Sequence, residues 1–198
     1  ENDNVAIGYA AMTTNTAGGN GNTAVGNYAG DAITSGDYST CLGMYAGSDL
    51  TTGGNCLMLG YQAGLSNSPA HTQNGTNRIV LGNNDITDCY IKVDWSVTSD
   101  ERDKMNFAEV PHGLSFVNDL KPIKFDFKKS RDDETPHGKT KYGFKAQDIL
   151  ALEGDNPIII NNEDEDKLSV INSHLIPVLV KAIQELSAKN DSLETSNQ

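Results

Sequence analysis

Through the first half of the chain a glycine returns at a nearly fixed interval, and few folds satisfy such an interval. The segments "NVAIGYAAM", "NTAVGNYAG", "STCLGMYAG" and "CLMLGYQAG" align on Gly8, Gly26, Gly43 and Gly60, spaced 18, 17 and 17 residues apart. A fifth copy, "RIVLGNN", places Gly82 after a longer insert. An aliphatic residue stands just before each glycine (Ile7, Val25, Leu42, Leu59, Leu81), and alanine stands three after each of the first four (Ala11, Ala29, Ala46, Ala63). Turn-forming stretches such as "TAGGNGN", "TSGDYS" and "TTGGN" separate the copies. A short strand, a glycine bend and a polar turn at constant period predict a β-solenoid. One such unit cannot bury its apolar face alone, so stacking along an axis, or association with other chains, must cover it. Cys41 aligns with Ala6 and Ala24, at a position for a small residue.

These copies, "NTAVGNYAG" most closely, resemble the head-type repeats of trimeric adhesins and phage tail fibres. The resemblance implies a trimeric β-prism or triple β-helix. A single-chain β-solenoid is the alternative, since such solenoids also carry glycine-centred repeats. Either way the region reads as a scaffold that supplies length and stiffness rather than chemistry.

Composition changes near Thr98. Residues 1–98 hold 15 of the 19 glycines and 10 charged residues, whereas residues 99–198 hold four glycines and 32 charged residues. The two parts are therefore read as separate domains, 1–98 and 99–198. The net charge of −12 argues against a nucleic-acid binder, which needs a basic face to follow phosphates. No apolar run reaches the ~18 residues of a membrane span, so no membrane insertion is expected, and no basic-then-apolar leader opens the sequence. Cys41, Cys56 and Cys89 form no CxxC, and no His/Cys pair has zinc-ligand spacing, so all three are expected to be small buried thiols. Neither a cofactor nor a metal is called for. "RIVLG" and "CYIKVDWSV" alternate β-branched and aromatic residues, which predicts two strands around "NNDITD", with Trp95 as a core or interface anchor.

"TSDERDK" (98–104) sits at the change in composition. Taken alone it predicts a helix start: Thr98 or Ser99 as cap, then Asp100 and Glu101 at the positive end of the dipole. A serine followed by a lysine five residues on is not by itself a specific signal.

Three further blocks follow in order: "HGLSFVNDLKPIKFDFK" (112–128), "KYGFKAQDI" (141–149) and "INSHLIPVLVKAIQEL" (171–186). With Trp95 and "TSDERDK" before them, they resemble the C-terminal intramolecular chaperone auto-processing domain of phage tail spikes and tail fibres, over roughly Trp95–Lys189. The resemblance implies an α+β domain that trimerises, folds the β-rich fibre upstream and then cuts itself off. By position in the motif, Ser99 is implied as nucleophile, Lys104 as its base and Thr98–Ser99 as the scissile bond. The implied enzyme is a single-turnover Ser-Lys endopeptidase acting on its own chain. Asp103 departs from the apolar or basic residue expected before the lysine, and a carboxylate there favours a protonated Lys104.

Serine is a poor nucleophile until a base takes its proton, and lysine serves as that base only when removed from water. Ser99 and Lys104 lie on different faces of a regular helix, so Ser99 must stand outside the helical register for the pair to meet within one chain. Attack between chains is the alternative. His112 and His137 are read as surface or packing residues.

Leu175, Leu179, Ala182, Leu186, Lys189 and Leu193 are spaced 4, 3, 4, 3 and 4, which predicts a trimerising a/d seam on a helix over about 169–193. Ile176 and Ile183 widen the stripe, and Pro177 falls early in the helix. "KKSRDDETPHGKTK" (128–141) reads as a charged loop, its charges solvated or clasping the fibre.

The expected function is therefore the C-terminal part of a viral tail fibre or spike. It would assemble as a parallel homotrimer in the host cytoplasm, end in the virion, and shed or loosely retain its chaperone domain. A host receptor or glycan is a possible partner of the mature fibre. The alternative is a permanent trimerisation and adhesion module with an inert Ser/Lys pair. A glycan depolymerase would need paired carboxylates on a rigid surface, and Asp31, Asp37, Asp49 and Asp85 are scattered.

Overall fold

The computed structural model describes residues 2–14 and 18–197. The chain separates into two compact units, Glu1–Cys89 with Phe127–Gly138, and Tyr90–Asp126 with Lys139–Gln198.

In the first unit every glycine repeat contributes one three-residue strand to a parallel sheet: β1 (Val5–Ile7), β2 (Thr23–Val25), β3 (Thr40–Leu42), β4 (Leu57–Leu59) and β5 (Ile79–Leu81). The sheet runs in chain order, and its register matches the sequence alignment, with Ala6, Ala24, Cys41, Met58 and Val80 in one column. Alternate strand residues face opposite sides. The middle column from Ala24 onward is buried with Ala29, Ala46 and Ala63, while Val5, Ile7, Leu42, Ile79 and Leu81 stay exposed.

Close approach of successive rungs explains the glycine. At Gly26 φ is +135°, and a Cβ would lie 2.6 Å from the carbonyl carbon and oxygen of Gly43. Gly43 repeats the arrangement against Gly60, with the Cβ 2.7 Å from its carbonyl oxygen. No other residue combines that dihedral with that contact.

A second column, four residues before each glycine, ties rung to rung through side chains. Asn4 Oδ1 accepts from Asn22 N at 2.7 Å, Asn22 Oδ1 accepts from Ser39 N at 2.8 Å, and Ser39 Oγ accepts from Cys56 N at 3.2 Å. Asn22 Nδ2 also donates to the Gly36 carbonyl at 2.7 Å. Asn22 and Ser39 are buried, so these bonds satisfy groups that water cannot reach.

The second unit packs α1 (Leu114–Asp119), α2 (Ala146–Glu153) and α3 (Asn172–Ser196) around Phe116, Ile149, Ile159, Ile160, Leu175 and Val178. β6 (Ile123–Lys128) pairs with β7 (Pro136–Gly143), and β8 (Ile160–Asn161) pairs antiparallel with β9 (Ser169–Val170). Carboxylates brace this unit. Glu153, the last residue of α2, accepts from the backbone N–H groups of Ile158, Ile159 and Ile160 at 2.8, 2.8 and 3.0 Å. Glu185 on α3 accepts from Leu114 N at 2.8 Å, at the start of α1 where helix N–H groups lack partners.

Several sequence expectations are corrected. Residues 89–97 form no strand. Trp95 is 72% exposed and so is no core residue. Cys41 and Cys56 are buried thiols, but Cys89 is exposed. Burial, with the nearby Cys56 second, pushes the Cys41 thiol up to about 12. On α3 the expected seam is divided: Leu175 and Ala182 are buried in their own unit, whereas Leu179, Leu186 and Leu193 are exposed. Pro177 stands in the second turn of α3, where its missing N–H leaves the Ser173 carbonyl without its helical donor.

Candidate active site

The backbone around "TSDERDK" folds into one 3₁₀ turn, Glu101–Asp103, not a longer helix. Its cap is Asp100 rather than Thr98 or Ser99. The Asp100 carboxylate accepts from Arg102 N at 2.9 Å and holds the Arg102 guanidinium through Nε at 3.0 Å and Nη2 at 2.6 Å. Asp103 N and Lys104 N close the turn on the carbonyls of Asp100 and Glu101, each at 3.1 Å. The hydrogen bonds from Arg102 hold the Asp100 carboxyl below its ordinary value, and the same pairing raises the Arg102 guanidinium.

This turn solves the facing problem posed by a regular helix. Ser99 precedes the cap and Lys104 follows the turn with extended backbone, and their side chains meet. Lys104 Nζ donates to Ser99 Oγ at 2.6 Å. To act as a base the amine must be in its neutral form, with its lone pair turned to the hydroxyl. Thr98, Ser99 and Lys104 are all exposed, and nothing in the single chain takes Lys104 out of water. Among the described residues no ion pair joins Asp103 to Lys104.

Exposed apolar side chains flank the turn on both sides. Tyr90, Val93, Trp95 and Val97 precede it, and Met105 and Phe107 follow, with Val97 83% and Met105 79% exposed. In the single chain nothing covers these large side chains. The first anchored residue after the turn is Val110, which packs against the core and whose carbonyl accepts from Lys181 Nζ on α3 at 2.6 Å.

Of the other residues singled out from sequence, His112 stacks on Phe116 at 4.2 Å, and His137 Nε2 lies 3.1 Å from the Asp85 carbonyl oxygen. Both pack rather than join Ser99 and Lys104. Asp49 pairs with His71 at 3.2 Å. Asp31 carries one buried oxygen without a hydrogen-bond partner, and burial raises its pKa, with Asp49 adding to the rise. Sequence reasoning placed Asp100 inside the turn rather than at its cap, and missed Glu153, Glu185 and Lys181. Asp100 carried a local signal, a carboxylate two residues before Arg102 at a helix start; Glu153 meets residues five to seven further on, and Glu185 and Lys181 act across the fold.

Among the described residues no group of three or more His, Cys, Asp or Glu is placed to hold a metal, and no helix is long and apolar enough to cross a membrane. Neither the curated proteins nor the solved structures contain a match to this chain. A family model does match, that of the peptidase family described as chaperone of endosialidase, over residues 99–155. The match begins at Ser99, on the turn that brings Ser99 and Lys104 together. Residues 99–155 are thus a domain segment of the chaperone-of-endosialidase family.

Proposed function

We propose that this chain is the C-terminal part of a viral tail fibre or spike whose second unit is an intramolecular chaperone that releases itself by cutting Thr98–Ser99. Three parallel chains associate, and the glycine repeats form a trimeric β-prism or triple β-helix. The domain acts as a single-turnover Ser-Lys endopeptidase with no external substrate. The mature fibre, in the virion, is left to meet a host receptor or glycan.

The chemistry follows from the contact between Ser99 and Lys104. Neutral Lys104 takes the proton from Ser99 Oγ as that oxygen attacks the Thr98 carbonyl carbon through a five-membered ring. The C–N bond of Thr98–Ser99 breaks, Lys104 returns the proton to the leaving amine, and Thr98 is left as an ester on Ser99 Oγ. Water then hydrolyses the ester, giving a Thr98 carboxylate and a free Ser99 at the head of the released fragment. Desolvation of Lys104 is the missing requirement in one chain. Burial of the apolar belt around the turn, when chains associate, supplies it, so cleavage follows assembly.

The observation that carries this reading is the 2.6 Å contact between Lys104 Nζ and Ser99 Oγ at the first residue of the matched segment. Freshly expressed protein should give two bands of near-equal mass on denaturing electrophoresis, and N-terminal sequencing of the C-terminal fragment should read Ser-Asp-Glu-Arg. Any other start residue removes the assignment of the bond. A second reading, a permanent trimer with an inert pair, is favoured by Asp103 beside Lys104 and by the exposure of both side chains. It predicts a single band near 21 kDa.

A further inference from the structure

The sequence holds two asparagines followed by glycine, Asn20–Gly21 and Asn74–Gly75, and the fold treats them differently. Glycine in second place leaves its backbone nitrogen open to the asparagine side-chain carbon, because no Cβ stands in the way. Asn74 lies exposed in the insert between β4 and β5 and carries two hydroxyls on its side-chain carbonyl. Thr51 Oγ1 donates to Asn74 Oδ1 at 2.6 Å and Thr52 Oγ1 at 3.1 Å. Thr51 Oγ1 also reaches the Gln73 carbonyl at 3.0 Å, the longer of its two contacts. The Arg78 guanidinium lies against Gly75: a Cβ there would fall 2.8 Å from Cζ and from Nε. Gly75 N donates to the Thr72 carbonyl at 3.2 Å, at the long end of the range. Asn20 is half-buried and clamped. Its Oδ1 accepts from Asn2 N at 2.9 Å and its Nδ2 donates to the Gly18 carbonyl at 2.6 Å. The Asp37 carboxylate sits beside it, accepting from Asn20 N at 2.7 Å.

We propose that Asn74–Gly75 is a self-modification site, where Gly75 N closes on Asn74 Cγ to a succinimide that water opens to aspartate or isoaspartate, while Asn20–Gly21 is spared. In the closure a bond forms between Gly75 N and Asn74 Cγ and the Cγ–Nδ2 bond breaks. Nδ2 leaves as ammonia, taking up the proton that Gly75 N gives up. Water then adds to one of the two ring carbonyls, and the C–N bond at that carbonyl breaks to leave a carboxylate. Opening at Cγ gives aspartate; opening at the Asn74 backbone carbonyl gives isoaspartate. During closure negative charge develops on Gly75 N and on Asn74 Oδ1. The Arg78 guanidinium favours the first and the two threonine hydroxyls favour the second. At Asn20 the neighbouring charge is the Asp37 carboxylate, which opposes both, and Nδ2 must first give up its bond to Gly18. The product places one more negative charge near Arg78, and as isoaspartate it adds a methylene to the backbone between β4 and β5.

The test uses the full chain carrying Ser99→Ala, so that the result is independent of any cleavage at Thr98–Ser99. Native chain and chain unfolded in urea are held at pH 8, quenched in acid at intervals and digested. Mass spectrometry follows the gain of one mass unit that marks loss of the amide, on the peptide carrying Asn74 and on that carrying Asn20. In the native chain Asn74 should react at least about tenfold faster than Asn20, less than the effect of one well-placed oxyanion donor. In urea the two rates should converge, because the geometry that separates them is gone. Thr51→Val and Thr52→Val should each slow the native reaction at Asn74 by roughly two- to tenfold, the scale of one hydrogen bond, and Thr52→Ser should restore it. Native rates that are equal, or faster at Asn20, overturn the proposal. So does an Asn74 peptide that keeps its mass in the native chain while the unfolded chain reacts. Valine variants that both react at the unaltered rate overturn the part given to the hydroxyls.

Discussion

Replacing Gly26 by alanine tests the rung-to-rung contact that defines the repeat unit. Two costs add. At φ +135° an L side chain is strained, which costs on the order of 1–3 kcal/mol. The new Cβ also lies 2.6 Å from the Gly43 carbonyl, and backbone cannot rotate aside as a side chain can. Forcing that overlap to relax costs roughly another 1–3 kcal/mol by the scale of overpacked cores. Gly18→Ala separates the two, because φ there is +104° and nothing lies within 4 Å of the added Cβ. It should cost the strain alone. In the Ser99→Ala background, equilibrium urea unfolding followed by far-ultraviolet circular dichroism gives both free energies at one chain concentration. The expected result is a midpoint clearly lower for Gly26→Ala than for Gly18→Ala, separated by ~1–3 kcal/mol. Equal midpoints would refute the argument, since the close approach of successive glycines would then carry no energy.

Four further outcomes are expected. Ser99→Ala and Lys104→Ala should each abolish band splitting while leaving assembly intact, and the double variant should be no slower than either, as for groups acting as one unit; cleavage at the normal rate by Lys104→Ala would remove lysine as the base. Leu179→Asp should prevent association and stop cleavage with it, and rapid cleavage by a monomeric variant would show that assembly does not gate the reaction. Glu153→Ala should destabilise the second unit by about 2–6 kcal/mol, because the buried N–H groups of Ile159 and Ile160 lose their acceptor at ~1–3 kcal/mol each; chemical denaturation measures it. Alkylation of the native chain at pH 8 should label Cys89 and spare Cys41, whose thiol is pushed up to about 12 by burial, with peptide mass spectrometry as the readout.

The repeat was legible because its determinants are local. Glycine is the residue for a positive φ against a neighbouring backbone, and a fixed spacing can be read without knowing what packs on what. The strand column Ala6, Ala24, Cys41, Met58, Val80 follows from that alignment alone. The pairing of Ser99 with Lys104 was legible in part: helical geometry required Ser99 to stand outside the register, but not that Asp100 would cap a single 3₁₀ turn. Tertiary structure decided the rest. An amphipathic helix with a wide apolar stripe offers several frames, and which one stays outward depends on what the domain buries. Leu175 and Val178 went to the core with Phe116, and Ala182 is buried as well, so Ile176, Leu179, Val180, Ile183, Leu186 and Leu193 are left outward. Glu185 and Lys181 likewise gained their roles from backbone groups brought to them by the fold, and an acid or a base on a helix carries no local mark of the distant N–H or carbonyl it will meet. "CYIKVDWSV" shows the same limit from the other side. Its alternation is that of a strand, but a strand forms only where backbone groups pair along a ladder, and these residues join none.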